Sequence, residues 1–460
     1  MRSMHRLTRQ RRAWHRHTWL AAAALLVACG GTAGRAASTP LPTATSTPAP
    51  AQVSPATALT TQPNRLWVLD NAHTAVTAVD ATTQATAVTL PVGVADARWA
   101  RMYSMWGVDT LIVSDAASGA QLDRIAVDSG LDLPYGVGSG MREGLSPGGS
   151  RLVLTDRPGD PSVPVKTTRF RLYDTAALHR APQAISLQGQ WQFDGIDDAG
   201  RNLYLLHYTV PQSGQYEVRR YDLVADRLDS NPVAEKGSPS DGPMTGAAFS
   251  RVTTADNAWQ LTAYGFGQRG PFLHALGLVD QYAFCIDLGP DNRSNEALDM
   301  LWSLVRSHDG HSVIAVNGAT GRISVFDAAP PFNARTAMLP VPPSPTAAPA
   351  AWWTLGSTTV ADAKRGVIGG AVLSADDRTL YAIGDNGIAV IDVATLTLRR
   401  WLVPDQPFQA ITLNPDGHTL YAVSTQESTG VVQIDVATGG ALRLPSFTGT
   451  EAVLRVTPSR

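Results

Sequence analysis

An all-β chain assembled from repeated units is what this sequence predicts, and three observations predict it. The stretch "LYAIGDNGIAVIDVAT" from Leu380 is followed forty residues later by "LYAVSTQESTGVVQIDVAT" from Leu420. Short apolar runs of strand length recur between turn signals, and no long segment carries helical periodicity. Charged residues make up only 17% of the 460, below the roughly 25% of ordinary soluble chains. Gly, Pro, Thr and Ser fill the difference, as they do in turn-rich β folds.

The first recurring element is an aspartate that closes a strand-like run and opens a turn. It occurs as Asp80, Asp115, Asp174, Asp222, Asp287, Asp327, Asp392 and Asp435, which makes eight units. The mean spacing is about 51 residues, in the range of propeller blades. An aspartate suits the position because its carboxylate accepts backbone N–H bonds from residues just ahead, fixing the turn. These carboxylates are read as structural.

The second element is a strand, a polar hairpin and a second strand. It is written "LSPGGSRLVLTD" at Leu145, "DDAGRNLYLLH" at Asp197, "SHDGHSVIAV" at Ser307, "LSADDRTLYAIG" at Leu373 and "LNPDGHTLYAVS" at Leu413. Asp-Gly and Gly-Gly at the tip supply the positive φ that a tight hairpin needs. The β-branched and aromatic residues that follow suit strands buried between neighbouring sheets. Four short strands per unit and eight units describe a β-propeller, with seven blades as the alternative count. The folded part starts abruptly at "PNRLWVLD", and the chain ends "TEAVLRVTPSR", whose "VTPSR" looks like the "LNPDG" turn cut short. Residues Glu451 to Thr457 are therefore expected to supply the inner strand of the first blade and to close the ring, removing a free sheet edge.

The combination of S/N-P-D-G, L-Y-A-V and I-D-V-A-T-G resembles the YVTN-type propeller repeat, shared by bacterial surface propellers and lactonase-like propellers. The resemblance is close in the last two units and covers residues from about Asn64 to Arg460. The Gly-His and Trp-Asp pair of WD40 repeats is absent from the sequence. The resemblance implies a surface or extracytoplasmic protein, with lactone hydrolysis as the first activity to consider.

The N-terminus reads as a processing signal. Arg2, Arg6, Arg9, Arg11, Arg12 and Arg16 precede "WLAAAALLVA", Trp19 to Ala28, about ten apolar residues where a bilayer span needs roughly 20. "LVAC", ending at Cys29, resembles the lipobox of bacterial lipoproteins, with Val27 where that pattern prefers Ala or Ser. Residues 1–28 are thus expected to be a lipoprotein signal peptide and Cys29 a lipidated residue. An ordinary secretory peptide with an incidental cysteine is the alternative. Residues 29–63 are rich in Thr, Ser and Pro and read as a disordered tether. Residues 64–460 form the propeller, with a Pro-rich surface insertion at about 328–351. With Cys29 lipidated, Cys285 in "YAFCIDL" has no disulfide partner and is expected to be an inert buried thiol.

Motifs that name a reaction are scarce. His308 and His311 in "HDGH" have a spacing close to that of metal ligands, yet they fall on a hairpin tip, as His418 does; His73 lies at another turn. No His-Glu-x-x-His, paired-cysteine or calcium-loop pattern occurs, so no metal and no cofactor are expected. "GVGSG", Gly136 to Gly140, lacks the following helix that a phosphate loop requires, and it reads as a glycine-rich entry to an inner strand. There is no G-x-S-x-G elbow. Segments entering the inner strands carry Arg98, Trp99, Arg142, Trp191, Trp302, Lys364, Arg365 and Phe408, the candidate channel-mouth binding residues. Arginine and tryptophan together suit an anionic or sugar-like ligand; the competing interpretation is inter-blade packing and solvated charge. A net charge of -2 argues against nucleic acid as partner. The expectation is a monomeric, extracytoplasmic, lipid-anchored propeller that binds a protein, polymer or small ligand. A lactonase-like hydrolase with its site at the channel mouth is the alternative.

Overall fold

The computed structural model describes residues 64–70, 75–91, 110–114, 121–126, 130–134, 143–156, 164–209, 215–233, 244–265, 270–289, 302–340, 370–385, 387–425, 430–444, 447 and 449–458. The leader, Cys29, the tether, Asp115, His73, Gly136 to Gly140, and Arg98, Trp99, Arg142, Lys364 and Arg365 lie outside them.

The described residues build thirty strands in eight antiparallel sheets. The first sheet holds β1 (Asn64–Asp70), β2 (Ala75–Asp80) and β3 (Thr86–Pro91); the second is the pair β4 (Thr110–Ser114) and β5 (Gln121–Ala126). The third is β6 (Leu131–Asp132), β7 (Arg151–Asp156), β8 (Thr167–Asp174) and β9 (Gln183–Gln188). The fourth is β10 (Trp191–Ile196), β11 (Asn202–Tyr208), β12 (Tyr216–Asp222) and β13 (Arg227–Pro232). The fifth is β14 (Ala247–Thr253), β15 (Trp259–Gly265), β16 (Phe272–Gly277) and β17 (Ala283–Asp287). The sixth is β18 (Trp302–Arg306), β19 (Ser312–Asn317), β20 (Arg322–Asp327) and β21 (Ala334–Met338). The seventh is β22 (Ala371–Leu373), β23 (Thr379–Ile383), β24 (Ile388–Asp392) and β25 (Thr397–Leu402). The eighth is β26 (Phe408–Leu413), β27 (Thr419–Ser424), β28 (Val431–Asp435) and β29 (Ala441–Leu444). Finally β30 (Thr450–Pro458) returns to the first sheet and pairs with β1, from Asn64 opposite Pro458 to Asp70 opposite Thr450. That is the strand expected of Glu451 to Thr457. Seven four-stranded sheets and one pair are compatible with either blade count.

Each hairpin between the first and second strand of a sheet is set by the same local chemistry. Its cap residue is Ser146, Asp197, Thr254, Ser307, Ser374 or Asn414 in the third to eighth sheets. The cap carbonyl accepts the N–H three residues on, and the cap N–H donates to the carbonyl five residues on. The residue three after the cap has positive φ every time: Gly149 (74°), Gly200 (64°), Asn257 (58°), Gly310 (76°), Asp377 (58°) and Gly417 (75°). Only Gly, Asn and Asp appear there, the residues that tolerate this conformation best. Thr254, Ser307 and Ser374 each donate a hydroxyl to the aspartate two residues on, at 2.5–2.6 Å.

The strand-closing aspartates do what their spacing implies. Asp435 Oδ1 accepts the N–H groups of Ala437 and Thr438 at 3.0 and 2.7 Å, and Asp222 Oδ1 takes those of Val224 and Ala225. Asp80 and Asp174 act alike. Asp287 does not belong to this set. It ends the outermost strand β17, whereas its expected place at the end of the third strand is held by Gly277. Two further expectations change. Within the segment expected to be an insertion, residues Ala334–Met338 are strand β21, paired with β20 from Ala334 opposite Phe326 to Met338 opposite Arg322. This strand is mostly exposed, so it has no apolar alternation to read. Cys285 is exposed, not buried, because outer strands such as β17 cover one flank only.

The core lies between neighbouring sheets. Phe170 and Leu172 meet Trp191 and Leu205 between the third and fourth sheets. Leu261 and Leu273 meet Trp302 and Phe326 between the fifth and sixth. Ile314 and Val316 meet Leu380 and Ala389, and Tyr381 and Ile388 meet Phe408 and Leu420. The contact between the fourth and fifth sheets is different, because Tyr204, Tyr216 and Tyr264 sit inside it.

Candidate functional site

Counted back from the hairpin caps, one position of the innermost row is charged in three successive sheets. Glu143, Asp194 and Arg251 each stand three residues before their cap in the third, fourth and fifth sheets. The next three sheets carry Leu304, Ala371 and Ile411 at that place. Local backbone chemistry delivers the side chains. Glu143 precedes Gly144, whose carbonyl accepts the Val153 N–H of β7 at 2.8 Å. Gly144 has φ +117°, and a Cβ there would stand 2.4 Å from that carbonyl oxygen of Val153. Asp194 is the extra residue of a bulge, since Phe193 faces Leu205 and Gly195 faces Tyr204. Bulges re-aim a side chain out of the strand's alternation.

Arg251 reaches back across both neighbours. Nη1 bonds Glu143 Oε2 and, at 2.8 Å, the Asp194 carbonyl; Nη2 bonds Asp194 Oδ1 at 2.7 Å; Nε donates to Thr262 Oγ1 at 3.0 Å. The side chains of Asp194, Arg251 and Glu143 are 1%, 12% and 13% exposed. Gln260 adds a bond from Nε2 to the Asp194 carbonyl at 3.1 Å. Asp194 Oδ2 has no hydrogen-bond partner. Burial pushes the Asp194 carboxyl above its usual range, and the Arg251 charge pulls it only partly back. A buried ion pair gains little net stability for the cost of desolvating it, so its geometry is the more telling feature.

Beside this cluster, three phenols line the contact between the fourth and fifth sheets. Tyr208 and Tyr216 have ring centroids 5.8 Å apart, and Tyr216 and Tyr264 have theirs 6.3 Å apart. Tyr264 stacks on Phe272 at 5.0 Å and meets His274 edge-on at 6.1 Å. Tyr208 Oη donates to Gln192 Oε1 at 2.8 Å. The Tyr216 and Tyr264 hydroxyls are buried facing each other, and His274 Nε2 is buried without a partner. Burial pushes the Tyr208 phenol up to about 12 and lowers His274 to about 4, so His274 is neutral at physiological pH. On its other side His274 Nδ1 lies 3.7 Å from Cys285 Sγ.

The arrangement of sheets has solved counterparts. AztD of Citrobacter koseri superposes with a TM-score of 0.50 over 86% of this chain and 98% of that one, at 10% identity. Apo AztD from the same organism gives 0.50 at 11% identity, covering the same shares. The fold is that of a β-propeller. The periplasmic gluconolactonase PpgL of Pseudomonas aeruginosa is also similar, with a TM-score of 0.40, 16% identity, and 86% and 99% of the two chains covered. Likeness at these identities is one of fold. Neither a protein-family model nor a curated protein matches the sequence.

Within the propeller, the expected channel-mouth residues divide by position. Trp191, Trp302 and Phe408 do begin the inner strands β10, β18 and β26. Their side chains are only 7%, 1% and 4% exposed and belong to the cores between blades. Trp191 stacks on His207 at 4.0 Å and donates from Nε1 to the Gln188 carbonyl. His308 is exposed at a hairpin tip, where its N–H and Nδ1 meet the Asp377 carboxylate of the next blade. Among the described residues no group of three or more His, Cys, Asp or Glu side chains is placed to hold a metal. Glu143, Asp194 and Arg251 were not among the candidates. Their signal is a charge at the same distance from the hairpin cap, in strands otherwise filled by Leu, Ala or Ile.

Proposed function

We propose that this chain is an extracytoplasmic, lipid-anchored propeller that binds a ligand or partner and does not catalyse a reaction. One observation carries the binding reading. Three consecutive blades contribute Glu143, Asp194 and Arg251 to a single buried network, which leaves one carboxylate oxygen of Asp194 unmatched. Both carboxylates are held by one guanidinium, an arrangement that fixes acceptors for recognition.

The anchor reading is supported by the arginine-rich leader, the short apolar run and "LVAC" ending at Cys29. YVTN-type repeats at a cell surface fit this location. A Thr/Ser/Pro-rich stretch of about 35 residues between anchor and disc gives the propeller a volume to search. The full chain carrying Cys29→Ser tests both readings in one preparation. Release from membranes and loss of lipid labelling are expected; unchanged retention would sink the anchor. Thermal melts of that protein against amines, sugars, lactones and peptides follow, because a ligand of the folded state raises Tm by mass action. Lactone turnover that disappears in D194N would replace the binding reading with the hydrolase one.

A further inference from the structure

We propose that Cys285 is a thiol-exchange site: its Sγ, supported by His274, attacks a small disulfide from solvent and is left as a mixed disulfide on the outermost strand of the fifth blade. Strand pairing sets Arg251 opposite Thr262, Thr262 opposite His274 and His274 opposite Cys285. Residues directly opposite share a face of the sheet, so the four form one row from the innermost strand to the outermost. In the sixth to eighth blades the place of His274 is taken by Ser324, Ala389 and Val432, and that of Cys285 by Thr336, Trp401 and Arg443. Among these four blades, a nucleophile beside a ring nitrogen is confined to the fifth. Cys285 is exposed, whereas His274 is 2% exposed and aims Nδ1 at Sγ from 3.7 Å. Burial lowers His274 to about 4, so at physiological pH the ring is neutral and one nitrogen carries a proton. Its Nε2 is buried without a partner. A proton there would leave a buried donor unmatched, an orphan rarer than a bare acceptor. The other tautomer turns an Nδ1–H toward Sγ, and a donor at sulfur favours the thiolate, the form that attacks disulfides. The Arg251 charge, two places along the row, reaches His274 and also favours an anion beyond it. In the exchange the Sγ–S bond forms as the S–S bond of the reagent breaks. Cys285 is oxidised, and the displaced sulfur is reduced to a thiol that takes its proton from water.

The full chain with Cys29→Ser keeps Cys285 as its single cysteine, so every adduct reports on this site. Hydroxyethyl disulfide at neutral pH is the probe, and the mixed disulfide is followed by intact mass spectrometry. A synthetic peptide of residues 281–288, which carries the same thiol without His274, is the reference. The folded chain is expected to exchange about tenfold faster than the peptide. His274→Leu removes the ring nitrogen and should fall to the peptide's rate. His274→Asn sets an amide nitrogen where Nδ1 stands and should keep most of the parent rate, a rescue that a packing role does not produce. Exchange no faster in the folded chain than in the peptide would overturn the proposal, and this comparison stands even if both His274 variants fail to fold. A folded His274→Leu that keeps the parent rate would overturn it equally, since the thiol would then react by exposure alone.

Discussion

The third to fifth blades and the sixth to eighth are built on the same hairpin chemistry, yet they are joined differently. In the first group the innermost rows are tied by charge, through Arg251 to Asp194 and Glu143. Hairpin tips are tied in both groups: Asp198 accepts the Gly148 N–H at 2.7 Å and the Asn257 amide at 2.8 Å, and Asp377 accepts the His308 N–H at 2.8 Å. In the second group the equivalent row is Leu304, Ala371 and Ile411, and the inner strands there are joined by apolar packing. The difference teaches where to look for function. Apolar packing is the inexpensive way to join blades, so a sector that buries two carboxylates and a guanidinium instead is spending stability on something else.

The largest expected effect lies at the seam that neither group supplies. Deleting residues 448–460 removes β30, the inner partner of β1, and the Val453 carbonyl that Thr412 Oγ1 of the eighth blade bonds at 2.6 Å. The variant is expected to lose cooperative unfolding in a thermal melt followed by near-UV circular dichroism. A melt like that of the parent would show that the first sheet does not depend on its C-terminal strand.

Next come substitutions that set the two sectors against each other. Arg251→Leu leaves Asp194 and Glu143 buried together without their shared cation, which should cost about 3–5 kcal/mol by urea denaturation. Ile411→Ala in the apolar sector opens a cavity and should cost about 2–5 kcal/mol. The two are similar in size and opposite in remedy. Adding Glu143→Leu and Asp194→Leu to Arg251→Leu makes the polar row resemble the apolar one, and should restore or exceed the parent stability, by up to about 4 kcal/mol over it. If the triple variant stays as unstable as the single one, the charged network is structural and the reasoning that ties it to binding fails.

That row also shows how far the sequence could be read. The hairpins were legible because their demands are local: a cap that bonds within five residues and a tip that needs positive φ leave a short, repeated signature. The fold followed from counting those signatures. Asp287 was misassigned because β17 also ends in Asp, while the true equivalent, Gly277, keeps the turn through backbone bonds alone, with the Gln281 N–H donating to its carbonyl. β21 was missed because an outermost strand buries too little to show alternation. The polar site was approached without being reached. Trp191 and Arg142 were singled out, and Asp194 and Glu143 lie three and one residues further on. An inner-strand bulge explains the offset at Asp194, where the side-chain alternation no longer reports which residue faces the neighbouring blade. Counting from the cap does.

Acid sharpens the comparison further. Asp435, in the apolar sector, is held below the usual carboxylate range, first by the Thr438 N–H and then by its hydroxyl and the Ala437 N–H, against some desolvation. A carboxyl depressed in the folded state contributes stability that is present above the unfolded value near 4 and is lost as pH falls through the folded value. Asp174 and Asp222 have the same sign. Asp194 has the opposite one, because burial raises it: ionising it costs stability as pH rises. Urea midpoints measured from pH 6 down to pH 3 should therefore fall for the parent. They should fall less steeply for Asp435→Asn, whose amide oxygen still accepts the turn N–H groups, and more steeply for Asp194→Asn. Identical slopes in all three would mean that neither carboxyl titrates in that window.

The smallest effect separates the hairpin from the sector it serves. Ser374 Oγ accepts the Thr379 N–H at 2.9 Å and donates to Asp376 at 2.6 Å. Thr254 Oγ1 makes the same two bonds, with Trp259 and Asp256, at 3.0 and 2.5 Å. Ser374→Ala and Thr254→Ala each leave a strand N–H unmatched, at a cost of about 1–2 kcal/mol. The costs should be equal within error, since each hydroxyl bonds only within its own turn. A Thr254→Ala loss twice that of Ser374→Ala would mean that the fifth blade's hairpin shares the load carried by Arg251, three residues before it. The charged row and the hairpin tips would then have to be treated as one element.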